Sequence, residues 1–377
     1  MERAVEKSGK IKKCAIITYH MSRNNGSFLQ AYALQVAVKS LGHECKIVNY
    51  ISSAQERVYS IFQKNNSFRN IIKNIFVLYH FSLIQKNREV FSCVQKQFLN
   101  LTERCTDEFE LSQLEEKFDV FISGSDQIWN LDAWDYSDVY FLSFIQNKKK
   151  ISYASSFGGC LSRISEKDKE KIQSLAQQYS AISVRENSGS VFLSNILQHD
   201  IPVVFDPTLL LRKEDYNCIA SRHQYLGKYI FLYSIFSLQM DTDFLEQVKN
   251  ASKKLNLPVF IMYTGNKAFL AKKYGFKLVK AIGPAAFLEL IQNAEMVFTS
   301  SFHGTAFSLL YEKRFWVSKR CDDRIYTLLS LTETENRILQ NNSIIEEPMN
   351  YDTINLRINQ HREESYAFLK RAILEGI

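Results

Sequence analysis

The chain alternates between two kinds of segment. A run of apolar and β-branched residues, KCAIITYH (13–20), leads into a polar loop, MSRNNGS. FLQAYALQVAVKSLG follows at helical spacing and closes on Gly42, and then comes a second apolar run, HECKIVNY. Strands buried on both faces of a parallel sheet read as continuous apolar runs, and consecutive parallel strands need a crossover, usually helical. A strand–loop–helix–strand start of this kind opens a Rossmann-like domain.

The alternation persists. FDVFISGSDQIWN and ISYASSFG each read as a strand ending in a loop, residues 164–180 as a helix, YSAISVRENSGSVFLSNI as strand, turn and helix, and IPVVFDPTLLL as strand and turn. A second cycle begins at YIFLYSIF. It continues through DFLEQVKNASKKLNL, PVFIMYTG, GPAAFLELIQNA, MVFTSS, HGTAFSLLYEK and WVSKRCDDRIYTLLSL. Two similar α/β domains are predicted, at residues 1–200 and 201–350. Residues 351–377 supply a helix, INQHREESYAFLKRAIL, that crosses back onto the first domain.

Composition agrees with a folded chain: 46% hydrophobic, 23% charged, only 13 Gly and 5 Pro in 377 residues. The seven cysteines are scattered without a Cys-x-x-Cys pair, which speaks against a disulfide framework or a zinc signature and for reduced thiols in a cytoplasmic protein. Residues 1–13 are charged and polar, unlike a secretory leader, and no apolar stretch reaches the roughly 20 residues that span a bilayer.

The net charge of +7 is uneven. Between Arg57 and Lys96 seven basic residues (Arg57, Lys64, Arg69, Lys73, Lys86, Arg88, Lys96) stand against one acid, Glu89, interleaved with Phe62, Phe68, Ile71, Ile72, Ile75, Phe76, Leu78, Phe81 and Ile84. This insertion, at about 57–100, is read in two ways: a surface that lies peripherally on an anionic membrane, or a packed helix pair with a solvated basic side. No nucleic-acid-binding motif is present, so nucleic acid is not expected as a partner.

Four loops follow predicted strands: NNGS (24–27), SGSDQIWN (123–130), SVREN (183–187) and SSFHG (300–304). Doubly wound sheets bind ligands along that edge. Asn25, Gly26 and Ser27 open a helix, which either receives an anion or is capped by Ser27. Asp126 and Gln127 suit sugar hydroxyls and Trp129 suits a sugar face, or else Asp126 caps a helix and Trp129 fills core. Arg185, at a strand end, suits a bidentate carboxylate or phosphate contact, or pairs with an acid such as Glu186. His303 sits at a strand-to-helix junction, where it serves either chemistry or helix capping.

Taken in order, GSDQIWN, YASSFG, SVRENSG, VFDPTLLL and SSFHGTAFSLLY, with NNGSFLQAYAL ahead of them, resemble the polysaccharide pyruvyl transferase family from about residue 13 to residue 330. The resemblance implies two Rossmann-like domains in a GT-B-like arrangement with a cleft between them. It implies transfer of a pyruvyl group from phosphoenolpyruvate to a hexose of a lipid-linked surface polysaccharide precursor, leaving a pyruvate ketal. His303 and Asp126 are then the catalytic candidates. Arg185, Arg324, Ser301, Gly26 and Ser27 are the phosphoenolpyruvate contacts; Asn25, Ser125, Gln127, Trp129, Ser155 and Glu186 are the acceptor contacts. The scheme requires no metal and no cofactor beyond the donor substrate. The expected location is cytoplasmic, with the basic segment 57–96 docking the enzyme peripherally on the inner face of the cytoplasmic membrane, where lipid-linked precursors would sit. One departure stands out: many members carry arginine two positions before the histidine, where this chain has Ser301, with Lys319, Arg320 and Arg324 as substitutes. The alternatives are a nucleotide-sugar glycosyltransferase of the same architecture and a non-catalytic sugar-binding or assembly subunit.

Overall fold

The computed structural model describes residues 10–52, 55–56, 72, 74–75, 77–78, 81–220, 227–234, 241–262, 267–279, 283–340 and 346–375. The chain divides into two compact units, each assembled from separate pieces of sequence. Unit 1 takes residues 1–23, 30–207 and 364–377; unit 2 takes 24–29 and 208–363.

In unit 1 the order is β1 (Lys13–Ile17), α1 (Asn25–Ser40, entering from residue 30), β2 (Glu44–Tyr50), α2 (Phe81–Phe98), β3 (Leu101–Cys105), α3 (Glu108–Ser112), β4 (Val120–Ser123), β5 (Lys149–Ser155), α4 (Glu166–Ala176), β6 (Ala181–Val184) and α5 (Asn187–Leu197). The strands form a parallel six-stranded sheet in the order β3-β2-β1-β4-β5-β6. The strand order reverses beside β1, so the edge beyond Ile17 and its register partner Ser123 is where such a sheet opens a crevice. The core below that edge joins Ile17, Val48, Phe121, Phe141, Phe157, Leu193 and their neighbours.

A one-turn helix α6 (Pro207–Leu210) carries the chain from unit 1 to unit 2. Unit 2 then runs β7 (Ile230–Tyr233), α7 (Thr242–Leu255), β8 (Val259–Met262), α8 (Lys267–Tyr274), β9 (Lys277–Val279), α9 (Gly283–Gln292), β10 (Met296–Thr299), α10 (Phe302–Leu310), β11 (Arg314–Val317) and α11 (Asp323–Leu331). Its parallel five-stranded sheet has the order β11-β10-β7-β8-β9. The last helix, α12 (Tyr351–Leu374), counts with unit 2 up to residue 363 and with unit 1 from residue 364.

The segment IPVVFDPTLLL does not form the predicted strand. Only Val203 makes a bridge, to Val184, before the chain turns into α6. Pro202 and Pro207 bracket it, and proline cannot donate to a ladder.

Much of the basic insertion lies outside the described residues, Arg57, Lys64, Arg69 and Lys73 among them. Within the described part Ile72, Ile75, Leu78 and Phe81 are all exposed. Among the described residues no helix is long and apolar enough to cross a membrane.

Candidate functional site

The loops picked out by the sequence fall into two clusters, one at the C-terminal strand edge of each unit's sheet.

In unit 2, β10 ends at Thr299, and Ser300 and Ser301 turn the chain into α10. Ser301 is the N-cap, its Oγ accepting from the Gly304 amide at 3.3 Å. His303 is therefore not a capping residue. It lies in the first turn, 8% exposed, against the residues that begin α1. A Cβ built on Gly26 would fall 2.5 Å from His303 Cγ and 2.7 Å from Cε1, closer still to Nδ1, so the ring rests directly on the glycine backbone. Asn25 is equally buried, and its Oδ1 has no hydrogen-bond partner. The Asn25 side chain hydrogen-bonds the Tyr233 hydroxyl at the end of β7; burial pushes that phenol up to about 12, against the hydrogen bond, which lowers it.

Capping of α1 differs from the expectation. Asn24, not Ser27, caps it: Asn24 Oδ1 accepts from the Gly26 amide at 2.8 Å and the Ser27 amide at 3.4 Å, and its carbonyl accepts from Phe28. The Gly26 and Ser27 amides are thus spent within the chain and do not form the expected phosphate cradle. Ser301 is likewise committed, its hydroxyl to the cap and its amide to Thr299 Oγ1 at 3.0 Å.

Arg324 occupies the first turn of α11, which packs against α10 and follows the strand paired with β10. Its guanidinium forks onto Asp322, the cap of its own helix, with Nε at 3.0 Å. Of the other candidate cations, Lys319 pairs with Asp243 at 3.0 Å, and Arg320 is exposed.

In unit 1 the loop after β4 carries Gly124, Ser125 and Asp126. Gly124 has φ +141, and a side chain there would collide with the Tyr153 carbonyl. Ser125 is fully buried, its Oγ reaching the Ala154 carbonyl at 2.8 Å and Asp206 Oδ2 at 3.0 Å. Asp126 has φ +76 and bridges Ser155. Its Oδ1 accepts from the Gln127 amide at 2.9 Å and from Arg185 at 3.3 Å.

Arg185, expected as an anion contact, is held by carboxylates in this structure. Its side chain is 1% exposed and lies between two carboxylates, Asp206 at 2.7 Å and Asp126 at 3.3 Å. Desolvation pulls against the guanidinium charge, but Asp206, Asp126 and Glu186 outweigh it and raise the Arg185 pKa. The pairing alternative holds, with partners 21 and 59 residues away in sequence.

Four expected acceptor contacts are absorbed by the interior. Trp129 is fully buried, stacked on Phe141 at 4.6 Å with its Nε1 donating to the Tyr140 carbonyl, because Phe157 and Tyr179 close around it. Ser155 is buried between Ser152 and the Ser123 carbonyl. Ser125 is spent as described above, and Glu186 Oε1 accepts from the Phe157 amide at 2.7 Å. Gln127 remains half-buried, its Oε1 accepting from Asn130 at 3.1 Å. Asp126 and Asn25 keep slight exposure.

The sequence reading gave no role to Asn24, Tyr233 or Asp206. A lone acid inside the apolar run VVFDPTLLL was the available signal for Asp206.

The family model described as polysaccharide pyruvyl transferase matches residues 24–319. Among curated proteins no relative matches. Solved structures with a similar fold include UDP-N-acetylglucosamine 2-epimerase from Rickettsia bellii, at 9% identity and TM-score 0.51, covering 96% of this chain and 98% of that one. UDP-GlcNAc 2-epimerase from Methanocaldococcus jannaschii is similar at 11% identity and TM-score 0.51, with 92% of each chain covered. MnaA of S. aureus, solved with UDP, matches at 11% identity and TM-score 0.50, covering 96% and 91%. At such identity the likeness establishes the fold alone, the two-domain α/β type of GT-B proteins.

Proposed function

The chain belongs to the polysaccharide pyruvyl transferase family, and from that premise we propose that it moves a pyruvyl group from phosphoenolpyruvate to a hexose of a surface polysaccharide precursor, forming a cyclic ketal. The observation that carries this reading is the seat of His303, in the first turn of α10 and pressed onto Gly26, with both residues inside the stretch the family model matches.

The chemistry assigns the roles. Protonation of the donor's methylene carbon makes C2 electrophilic. A sugar hydroxyl attacks C2, its proton passes to a base, phosphate leaves, and a second hydroxyl of the same sugar closes the ketal. An imidazole gives or takes such a proton near neutral pH. His303 is that group in this proposal, and Asp126 stabilises the cationic carbon or orients the sugar. The donor's phosphate and carboxylate are assigned to Arg185 and Arg324, each of which must loosen from the carboxylates it holds here, Asp206 and Asp126 for the first and Asp322 for the second. Asn25 Oδ1, buried and lacking a donor, suits a substrate hydroxyl.

The acceptor is proposed to be lipid-linked and the enzyme peripheral at the inner face of the cytoplasmic membrane. The exposed Ile72, Ile75, Leu78 and Phe81, in a segment of strongly positive charge, support this. Flotation with anionic and neutral vesicles tests it; failure to float with either sinks the membrane assignment.

The deciding experiment measures phosphate release from phosphoenolpyruvate, with mass spectrometry of the products, over lipid-linked and simple hexosides. His303→Ala and a panel of nucleotide-sugar donors run beside it. A pyruvylated product lost in the variant establishes the reaction. Turnover of a nucleotide sugar instead would make the chain a glycosyltransferase.

A further inference from the structure

Trp129 is sealed in the core, but the loop after β4 carries a second tryptophan. Trp134 is 54% exposed, whereas Trp129 and Trp316 are 0% and 1% exposed. An indole left in water forgoes the burial that such a large apolar ring ordinarily contributes to a fold. Local structure holds it there. The Tyr136 amide donates to the Ala133 carbonyl at 3.0 Å, so Trp134 and Asp135 are the two central residues of a hydrogen-bonded turn.

The turn is tied down along its length. Ahead of it, the Asp132 amide donates to Asn130 Oδ1 at 3.0 Å, and the Arg163 guanidinium forks onto the Asp132 carboxylate with Nε at 2.8 Å. Within it, Asp135 Oδ1 accepts from the Tyr19 hydroxyl and Oδ2 from Gln55 Nε2, both at 3.1 Å. Behind it, Asp138 accepts from the Tyr136 hydroxyl at 2.8 Å and pairs with Lys171 at 2.6 Å. Tyr19 lies just past the end of β1, its ring against Tyr140 at 4.9 Å. The bond to Tyr19 thus fastens the turn beside the end of β1, at the edge where the strand order reverses and the loop of Asp126 leaves β4.

A ring held in place loses little further freedom when a ligand docks on it. The surroundings decide which ligand fits. The segment DAWDYSD (132–138) has acids at Asp132, Asp135 and Asp138 and no base. Arg163 and Lys171 neutralise two of these acids, which leaves no positive excess. A tryptophan seated on an anionic membrane takes Lys or Arg beside it, so lipid is disfavoured at this turn. A pyranose ring is neutral, with C–H bonds on its face and hydroxyls around its rim. The face suits an indole, and the rim suits carboxylates and amides. We propose that Trp134 is the stacking platform for the acceptor hexose, on the same loop as Asp126. The proposal rests on the reading of the acceptor as a hexose.

The first test needs no donor. Acrylamide quenching of tryptophan emission is measured on the full chain with and without methyl galactoside, methyl glucoside and methyl N-acetylglucosaminide, beside Trp134→Phe. Because Trp129 and Trp316 are buried, the quenching reports chiefly on Trp134. At least one hexoside is expected to lower the quenching slope about twofold in the wild-type chain and to change nothing in the variant. In turnover, Trp134→Ala is expected to raise KM about 10-fold for the hexoside that reacts, with the phosphoenolpyruvate Kd within about twofold of wild type. Trp134→Phe should recover most of that loss, and neither variant should shift the melting temperature, because the side chain is exposed. An unchanged KM in a folded alanine variant overturns the proposal, and so does a failure of every hexoside to shield the indole. Shielding by anionic vesicles and by no hexoside would make the turn a lipid contact instead. If the wild-type chain releases no phosphate from phosphoenolpyruvate, the pyruvyl-transfer reading fails, and the quenching result alone decides the role of Trp134.

Discussion

His303 and Gly26 lie 277 positions apart in sequence, yet the imidazole rests on the glycine so closely that any side chain at position 26 would overlap the ring. The glycine belongs to the opening turn of a helix whose remaining turns count with the other unit, and the histidine to the helix after β10. Gly26→Ala is expected to push the ring from its seat. Overpacking of this kind costs about 1–3 kcal/mol of stability, and a displacement of about 1 Å at a reacting group costs about a hundredfold in rate. Turnover should therefore fall far more than the melting temperature. An alanine variant with wild-type kcat would show that the seat of His303 is irrelevant to the reaction.

Ser301 stands where many family members carry arginine, and here it caps α10. Ser301→Ala should cost about 1 kcal/mol of stability and leave phosphoenolpyruvate affinity intact. Ser301→Asp should keep the cap and the stability but weaken donor binding, because its carboxylate sits beside the groups that must receive an anion. Denaturant midpoints and calorimetric titration separate the two effects; equal donor affinity in both variants would place the phosphate elsewhere.

Trp129 is a core residue, stacked on Phe141 and sealed by Phe157 and Tyr179. Trp129→Ala should destabilise the fold by about 3–5 kcal/mol. Trp129→Phe should stay folded and bind the acceptor with unchanged KM. A raised acceptor KM in a well-folded Phe variant would reinstate sugar stacking.

His20 is buried, with Nδ1 near the Thr18 carbonyl at 3.2 Å and Nε2 near Asn49 Oδ1 at 3.3 Å. Burial lowers its pKa from the ordinary 6.5, against hydrogen bonds to Thr18 and Asn49 that raise it. Between the lowered value and 6.5 the unfolded chain holds a proton that the folded chain refuses. Stability from this residue is thus complete above about 6.5 and declines as pH falls, by at most about 1.4 kcal/mol per pH unit. His20→Gln should flatten that decline. Urea midpoints at about pH 7.5 and about pH 5.5 check it; an unaltered slope in the variant would assign the acid sensitivity to other groups, such as His43, whose pKa burial also lowers.

The strands were legible because parallel strands buried on both faces leave uninterrupted apolar runs such as FDVFIS and AEMVFTS, and β4 and β10 fall within them. The loops that follow those strands were legible for the same reason. What could not be read was how each polar group in those loops is spent. Arg185 reads as a lone cation at a strand end, and the acids that hold it, Asp206 and Asp126, arrive from distant loops. Ser27 looks like a cap until Asn24 takes its amide. Trp129 looks like a surface platform until three aromatic rings surround it. Each depends on contacts set by tertiary packing, which local pattern does not encode. IPVVFDPTLLL resembles a strand and turn by its apolar run, but Pro202 and Pro207 within it leave only the single bridge at Val203 before α6.

The interleaved division of the chain bears on how it is made. Residues 24–29 leave the ribosome well before the rest of the unit they count with, whose other members begin at residue 208. Residues 364–375 follow long after β6, which completes the sheet of the unit they count with. The second unit is therefore made while the first still lacks the end of α12. The turn that seats His303 is translated long before the histidine exists, so Gly26 waits through the whole first sheet and most of the second before it meets the ring it was left bare to receive.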